Sequence, residues 1–317
     1  MIQLNRKYID LYSKQYRIHD SKYYKSLFNS LKPYYPVSPS KYTVIKAPVR
    51  ININNNPFLS TSIQNKIFQL KNKHIVKSKN YTLNIYHNRD ISNFIDIVTI
   101  YLDFMFNLSC SKQHIKINYY LTDCKKKYTN RVLTNNNVNS GSSRPGEITI
   151  WRSEEVLKTT IHECIHQMNL DYRMDVSDII VHFKSRYNLN IDTLNTFEAY
   201  TDMWAILINV FLTTVIMKKP YRFFVEMLNL ERLHILNLAQ KIITNQKQYD
   251  ERTNVISYYI IKAELFQNLP KTLKFLNNHI KIKDLGGYFY FLKTLPQLKP
   301  SKIIPTDTMR MSITEMI

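Results

Sequence analysis

Apolar residues recur along this chain at two spacings, one helical and one alternating, and the switches between them predict most of its elements. Residues 4–32 read as a basic helical stretch with Leu4, Tyr8, Leu11 and Tyr12 on one stripe. Pro33, Pro36 and Pro39 then break any helix, which puts the boundary between an N-terminal extension and the main domain near residue 40. A second helix is expected over 57–71. Tyr81, Leu83 and Ile85 alternate with Thr82, Asn84 and Tyr86, the pattern of a half-buried strand. Ile91, Phe94, Ile95, Val98, Tyr101, Leu102 and Met105 return to helical spacing, and Ile115, Ile117, Tyr119 and Leu121 alternate again. Residues 129–146, rich in Asn, Ser, Gly and Pro, read as loop, and 147–152 as a short third strand.

Ser153 is placed to cap the next helix, with Glu154 and Glu155 in its first turn against the helix dipole. Leu157, Ile161, Ile165 and Met168 form its apolar stripe, and it is expected to reach Leu170. Long helices follow from Leu194 towards Lys218 and from Pro220 towards Gln246. One more covers 254–266 before a less regular tail. Strands and helices come first and helices alone come after. This order predicts an α+β fold in three units: a basic helical extension (1–40), an α+β unit (41–172) and a helical C-terminal lobe (173–317).

Composition changes this picture little. Of 317 residues, 44% are apolar, so a sizeable core is expected. The 44 basic residues against 24 acidic ones give a formal net charge of +20, which attracts polyanions in general. The basic residues are spread out, without the compact aromatic-interleaved tract that tracks nucleic acid, so no specific nucleic-acid site is expected. Three cysteines (Cys110, Cys124 and Cys164) form no disulfide framework and suit a reducing compartment. The first residues lack the apolar core of a secretory signal, so a cytoplasmic protein is expected. The most apolar stretch, 203–217, is shorter than the ~20 residues of a membrane span and reads as a core helix.

The chemistry is concentrated in two short motifs. His162 and His166 are four apart on a predicted helix, so both rings face one side and can hold one ion. Zinc favours such nitrogens. Glu163, about 100° further round, is placed as general base on a zinc-activated water. A third ligand is required, and Glu198 is the candidate, with Asp202 one turn on as hydrogen-bond acceptor for the far nitrogen of a ligand histidine. Asp171 and Asp175 are alternative third ligands. Peptide hydrolysis also needs a donor for the oxyanion. Tyr258 is the first candidate, with Tyr259, His182 and His234 behind it. The strand at 147–152 or the 139–143 segment before it could hold an extended peptide by strand addition. Cys164 reads as a small buried apolar residue.

His-Glu-Cys-Ile-His at 162–166 followed by Glu198-Ala199-Tyr200-Thr201-Asp202 resembles the gluzincin zinc peptidases, whose thermolysin-like members pair His-Glu-x-x-His with a Glu-Ala-x-Ser-Asp helix. Residues 137–141, 146–171 and 197–209 are also similar to the metallopeptidases of nucleocytoplasmic large DNA viruses. The resemblance implies a zincin-like fold, a small mixed sheet with an active-site helix and an all-helical C-terminal lobe. It also implies zinc on His162, His166 and Glu198, a peptide or protein substrate, and a viral protein of the host cytoplasm or virion. Phe197 stands where thermolysin-like enzymes have Asn, and the interval to Glu198 is longer. Asn169 and Tyr172 exclude the metzincin pattern. The resulting expectation is a zinc-dependent metallopeptidase. Its rivals are a catalytically inactive zincin-fold virion or partner-binding protein, and a basic nucleic-acid-associated protein with incidental histidines.

Overall fold

The alternating stretches pair into a single mixed sheet, and it is larger than the alternation alone predicts. The computed structural model describes residues 4, 6–14, 18–38, 40–53, 56–128, 132–245, 253–299 and 301–316. Its six strands are β1 (Thr43–Ala47), β2 (Asn72–Lys77), β3 (Tyr81–His87), β4 (Ile115–Tyr120), β5 (Gly141–Arg144) and β6 (Glu147–Ile150), in the order β1-β2-β3-β4-β6-β5. Strands β3, β4 and β6 run parallel, and the flanking pairs are antiparallel. β3 and β4 lie where the alternation puts them. β1, β2 and β5 are additional: β1 is exposed along most of its length, and Gly-Ser-Ser-Arg in β5 has no apolar residue to alternate. β5 is a strand because it pairs with β6, and it ends the sheet.

Twelve α-helices are present among the described residues. In the first half, α1 (Arg6–Ser13) and α2 (Lys22–Leu31) replace the single helix expected over 4–32. Then come α3 (Thr61–Phe68), α4 (Ser92–Ser109), the single turn α5 (Asn135–Val138) and α6 (Val156–Gln167). The second half holds α7 (Ser177–Tyr187), α8 (Thr196–Ile216) and α9 (Tyr221–Asn245). A π-helical segment (Ile256–Ile261) then runs into α10 (Lys262–Gln267), followed by α11 (Leu269–Leu276) and α12 (Leu285–Thr294).

The sheet has an apolar and a polar face, as period-two alternation dictates. Leu83, Ile85, Ile117, Tyr119, Ile148 and Ile150 join the main core with α4, α6 and α8. On the other face α3 covers a smaller cluster of Ile63, Ile67, Tyr86, Tyr120 and Trp151. The N-terminal helices belong to the main core: Tyr8, Tyr12, Leu27 and Phe28 are buried in it, with α1 against α9 and α2 against α8, α9 and α11.

Two local expectations are corrected. Ser153 does not cap α6, which starts at Val156. Glu155 precedes it with a left-handed φ of 60°, and its carboxylate turns inward to Lys126 Nζ (3.0 Å) and the Ser312 amide (2.6 Å). The tail beyond residue 266 is also more ordered than its sequence suggests. It holds α11 and α12, and its last stretch is buried, with Glu231 accepting from the Ser312 hydroxyl (2.6 Å) and the Thr314 amide (2.8 Å). Among the described residues α8 alone is long and apolar enough to cross a membrane, but 89% of that window is buried inside the protein, which makes it the central core helix.

Candidate metal centre

The site begins with β5 and α6. The buried Arg152 donates from Nε to the Asn139 carbonyl (3.0 Å) and from Nη2 to that of Asn136 (2.7 Å), tying the approach to β5 to the entry of α6. Gly141 then lies directly against the helix, where no side chain fits. A Cβ there would stand 2.7 Å from Glu163 Oε1 and 2.8 Å from Thr159 Cγ2. This contact fixes the helix against the sheet's last strand.

Three helices then converge, each offering residues four apart on one face. Helix α6 offers Lys158, His162 and His166; α8 offers Glu198 and Asp202; the π segment and α10 offer Tyr258 and Lys262. Their first rung is a donor triangle. His162 Nε2 and His166 Nε2 are 3.1 Å apart, and Glu198 Oε2 is 3.2 Å and 3.4 Å from them. Donors ~2.0–2.1 Å from a tetrahedral zinc are separated by about 3.3 Å, so the triangle has the dimensions of three zinc ligands. The triangle is a potential metal-holding group of two buried histidines and a largely buried carboxylate.

The opposite edge of each imidazole meets a carboxylate. His166 Nδ1 donates to Asp171 Oδ2 at 2.5 Å, which orients the ring with Nε2 towards the triangle. His162 Nδ1 lies 3.2 Å from Asp202 Oδ1, a charge contact without the alignment of a hydrogen bond. Asp202 is held mainly by cations, Lys262 Nζ at 2.5 Å and Lys158 in a shorter contact. This second rung of Lys158, Asp202 and Lys262 is buried.

The charge states follow from these neighbours. Burial would raise the Asp202 pKa, but Lys158 and Lys262 overrule it and hold the carboxyl well below its ordinary range. Burial likewise opposes Glu198, and the two imidazoles hold it low. The same attraction outweighs burial at His166 and lifts its pKa to about 10. Glu163 moves the other way. Burial dominates and raises its pKa, only partly offset by the histidines and a Ser143 hydrogen bond. A carboxyl with a raised pKa beside a cation site is a suitable proton acceptor and donor.

The remaining candidates separate clearly. Tyr258 enters the site with its hydroxyl donating to Glu198 Oε2 at 2.7 Å and its ring 5.8 Å from that of His162. Tyr259 instead donates to the Met309 carbonyl, away from the triangle. His234 is completely buried between Tyr12 Oη (3.0 Å) and the Arg310 carbonyl (2.8 Å), so it cannot serve as an oxyanion donor. His182 does not line the cleft. Asp171 and Asp175 are not third ligands: one supports His166, and the other accepts from Thr196. The interior position of β6 leaves β5 as the strand open to an added peptide.

A cleft of about 240 Å³ opens on the triangle, lined by Phe58, Gly141, Ser143, Glu163, Arg173 and Tyr258 among others. Sequence reasoning missed Lys158, Lys262, Arg173 and Gly141. Lys158 was findable, being four residues before His162 on the same stripe; Lys262 and Arg173 gave no signal without the fold. No known family, no curated protein and no solved structure matches this chain.

Proposed function

We propose that the protein is a zinc-dependent peptidase of the zincin type, hydrolysing peptide bonds with His162, His166 and Glu198 as ligands, and resembling the gluzincins. The observation that carries this reading is the triangle with zinc-ligand dimensions beside a further carboxyl, Glu163, that is not one of its three donors. Zinc held there would supply a Lewis acid for water and for the scissile carbonyl.

The chain's own residues supply the rest. β5, the terminal strand, offers an unpaired edge along which an extended peptide adds as a further strand, beside the triangle. Glu163 takes a proton from the attacking water and passes it to the leaving amine; its raised pKa suits both steps. Tyr258 positions Glu198 through its hydroxyl, and Asp171 positions His166. No covalent enzyme intermediate is needed, and Cys164 is buried in the core with its thiol pKa pushed up, so it has no nucleophilic part.

The test is Glu163→Gln. It should keep wild-type zinc content and lose peptide turnover by a factor of at least about 10² to 10⁴. A Glu163→Gln protein with full turnover would eliminate the mechanism.

A further inference from the structure

The polar face of the sheet forms the floor of a second cavity, about 480 Å³ in volume, whose lining also includes Arg50, Ile53, Phe58 and Leu59. Phe58, Ser142 and Ser143 line both this cavity and the cleft at the donor triangle, so the two spaces adjoin at β5. Four cationic side chains line it (Arg50, Lys73, Lys116 and Arg144) and one carboxylate, Glu147. Glu147 is already fully engaged. It accepts from Asn118 Nδ2 at 2.6 Å, pairs with Lys116 at 3.0 Å, and is gripped by Arg144. Those donors outweigh burial and hold its pKa down to about 2. Arg50 and Lys73 make no ion pair among the described residues; Lys73 Nζ rests 5.1 Å from the Tyr86 ring centroid. A concave, solvent-open site with two unmatched cations, Arg50 exposed and Lys73 half-buried, attracts an anion.

We propose that this compartment is a specificity pocket for an acidic side chain of the peptide lying along β5, with Arg50 and Lys73 as its contacts. The inference rests on the peptidase reading for what delivers the ligand. β5 is four residues long, roughly 13 Å at strand rise, so the acidic residue falls within about four residues of the scissile bond. A polar floor of Asn84, Asn118 and Thr149 suits a solvated carboxylate better than an apolar side chain. The shared lining at β5 favours a peptide over a nucleic acid, because a strand edge pairs with peptide backbone.

The experiment measures fluorescence anisotropy of two labelled decapeptides, identical except for a Glu-Glu or a Gln-Gln pair, on the Glu163→Gln protein, where neither is expected to be cut. The acidic peptide should bind at least about tenfold tighter at low salt, and the advantage should shrink as salt rises. It should disappear in the Arg50→Glu, Lys73→Glu double variant. Should that variant fail to fold by its thermal melt, Arg50→Gln and Lys73→Gln, which remove charge without reversing it, should each reduce the advantage. Equal binding of the two peptides, or an advantage that survives these substitutions, would overturn the proposal. So would a labelled ten-residue oligothymidylate that binds tighter than the acidic peptide and is lost with the same cations. Wild-type protein that cuts no peptide yet binds the acidic one in this way would remove the peptidase reading and leave the pocket standing.

Discussion

Gly141 on the edge strand β5 and Glu163 on α6 meet so closely that a methyl group at 141 would stand 2.7 Å from Glu163 Oε1. The same methyl would press on the branched Thr159 side chain at 2.8 Å, so it cannot be absorbed by Glu163 swinging away alone. The Gly141→Ala protein should therefore fold and bind zinc while turnover falls by about 100-fold, the usual consequence of misplacing a catalytic group by about an ångström. Unchanged turnover would show that the contact does not hold Glu163 in place.

Asp202 is ion-paired with two buried lysines, Lys158 and Lys262, and it also faces His162. Asp202→Ala would take that partner from both buried ammonium groups. Removing one partner of a buried ion pair costs about 3–5 kcal/mol, so the variant should show a large drop in its denaturation midpoint, and its zinc affinity should fall by about 10- to 100-fold. A midpoint unchanged from wild type would mean that these lysines are not confined as described.

His234 gives the stability a pH dependence. Burial lowers its pKa from 6.5 to about 3, outweighing the Arg310 carbonyl, which accepts from Nε2 and works the other way. The folded state is the poorer proton acceptor, so between these values the unfolded chain holds the extra proton and stability falls as pH drops. At pH 5 the loss from this residue is about 2 kcal/mol relative to neutral pH. Denaturation curves at pH 7 and pH 5 should show wild type losing that much more than His234→Asn. Parallel losses in the two proteins would contradict a neutral buried imidazole.

The candidate metal-holding group was legible in the sequence because helical period is simple arithmetic. Residues four apart share a face, so His162 with His166 and Glu198 with Asp202 were paired before any fold was known. That the two pairs lie opposite one another depends on the crossing of α6 and α8, which local pattern does not encode. Asp171 shows the same limit: a carboxylate five residues past His166 looks like an alternative ligand until the turn after α6 places it behind the ring. β5 was unreadable because its Gly and Ser residues gain their strand state from pairing with β6 and from the approach of α6. The order in the tail was hidden for a related reason: residues 308–316 are held by side chains from distant helices, such as Glu231 and Asn209.

Zinc content tests the central claim most directly. Elemental analysis of purified protein should find one zinc per chain in the wild type and in Glu163→Gln, and less than a tenth of that in His162→Ala and in Glu198→Ala. Wild-type protein without stoichiometric zinc after incubation with the metal, or zinc retained undiminished in both ligand variants, would contradict the assignment.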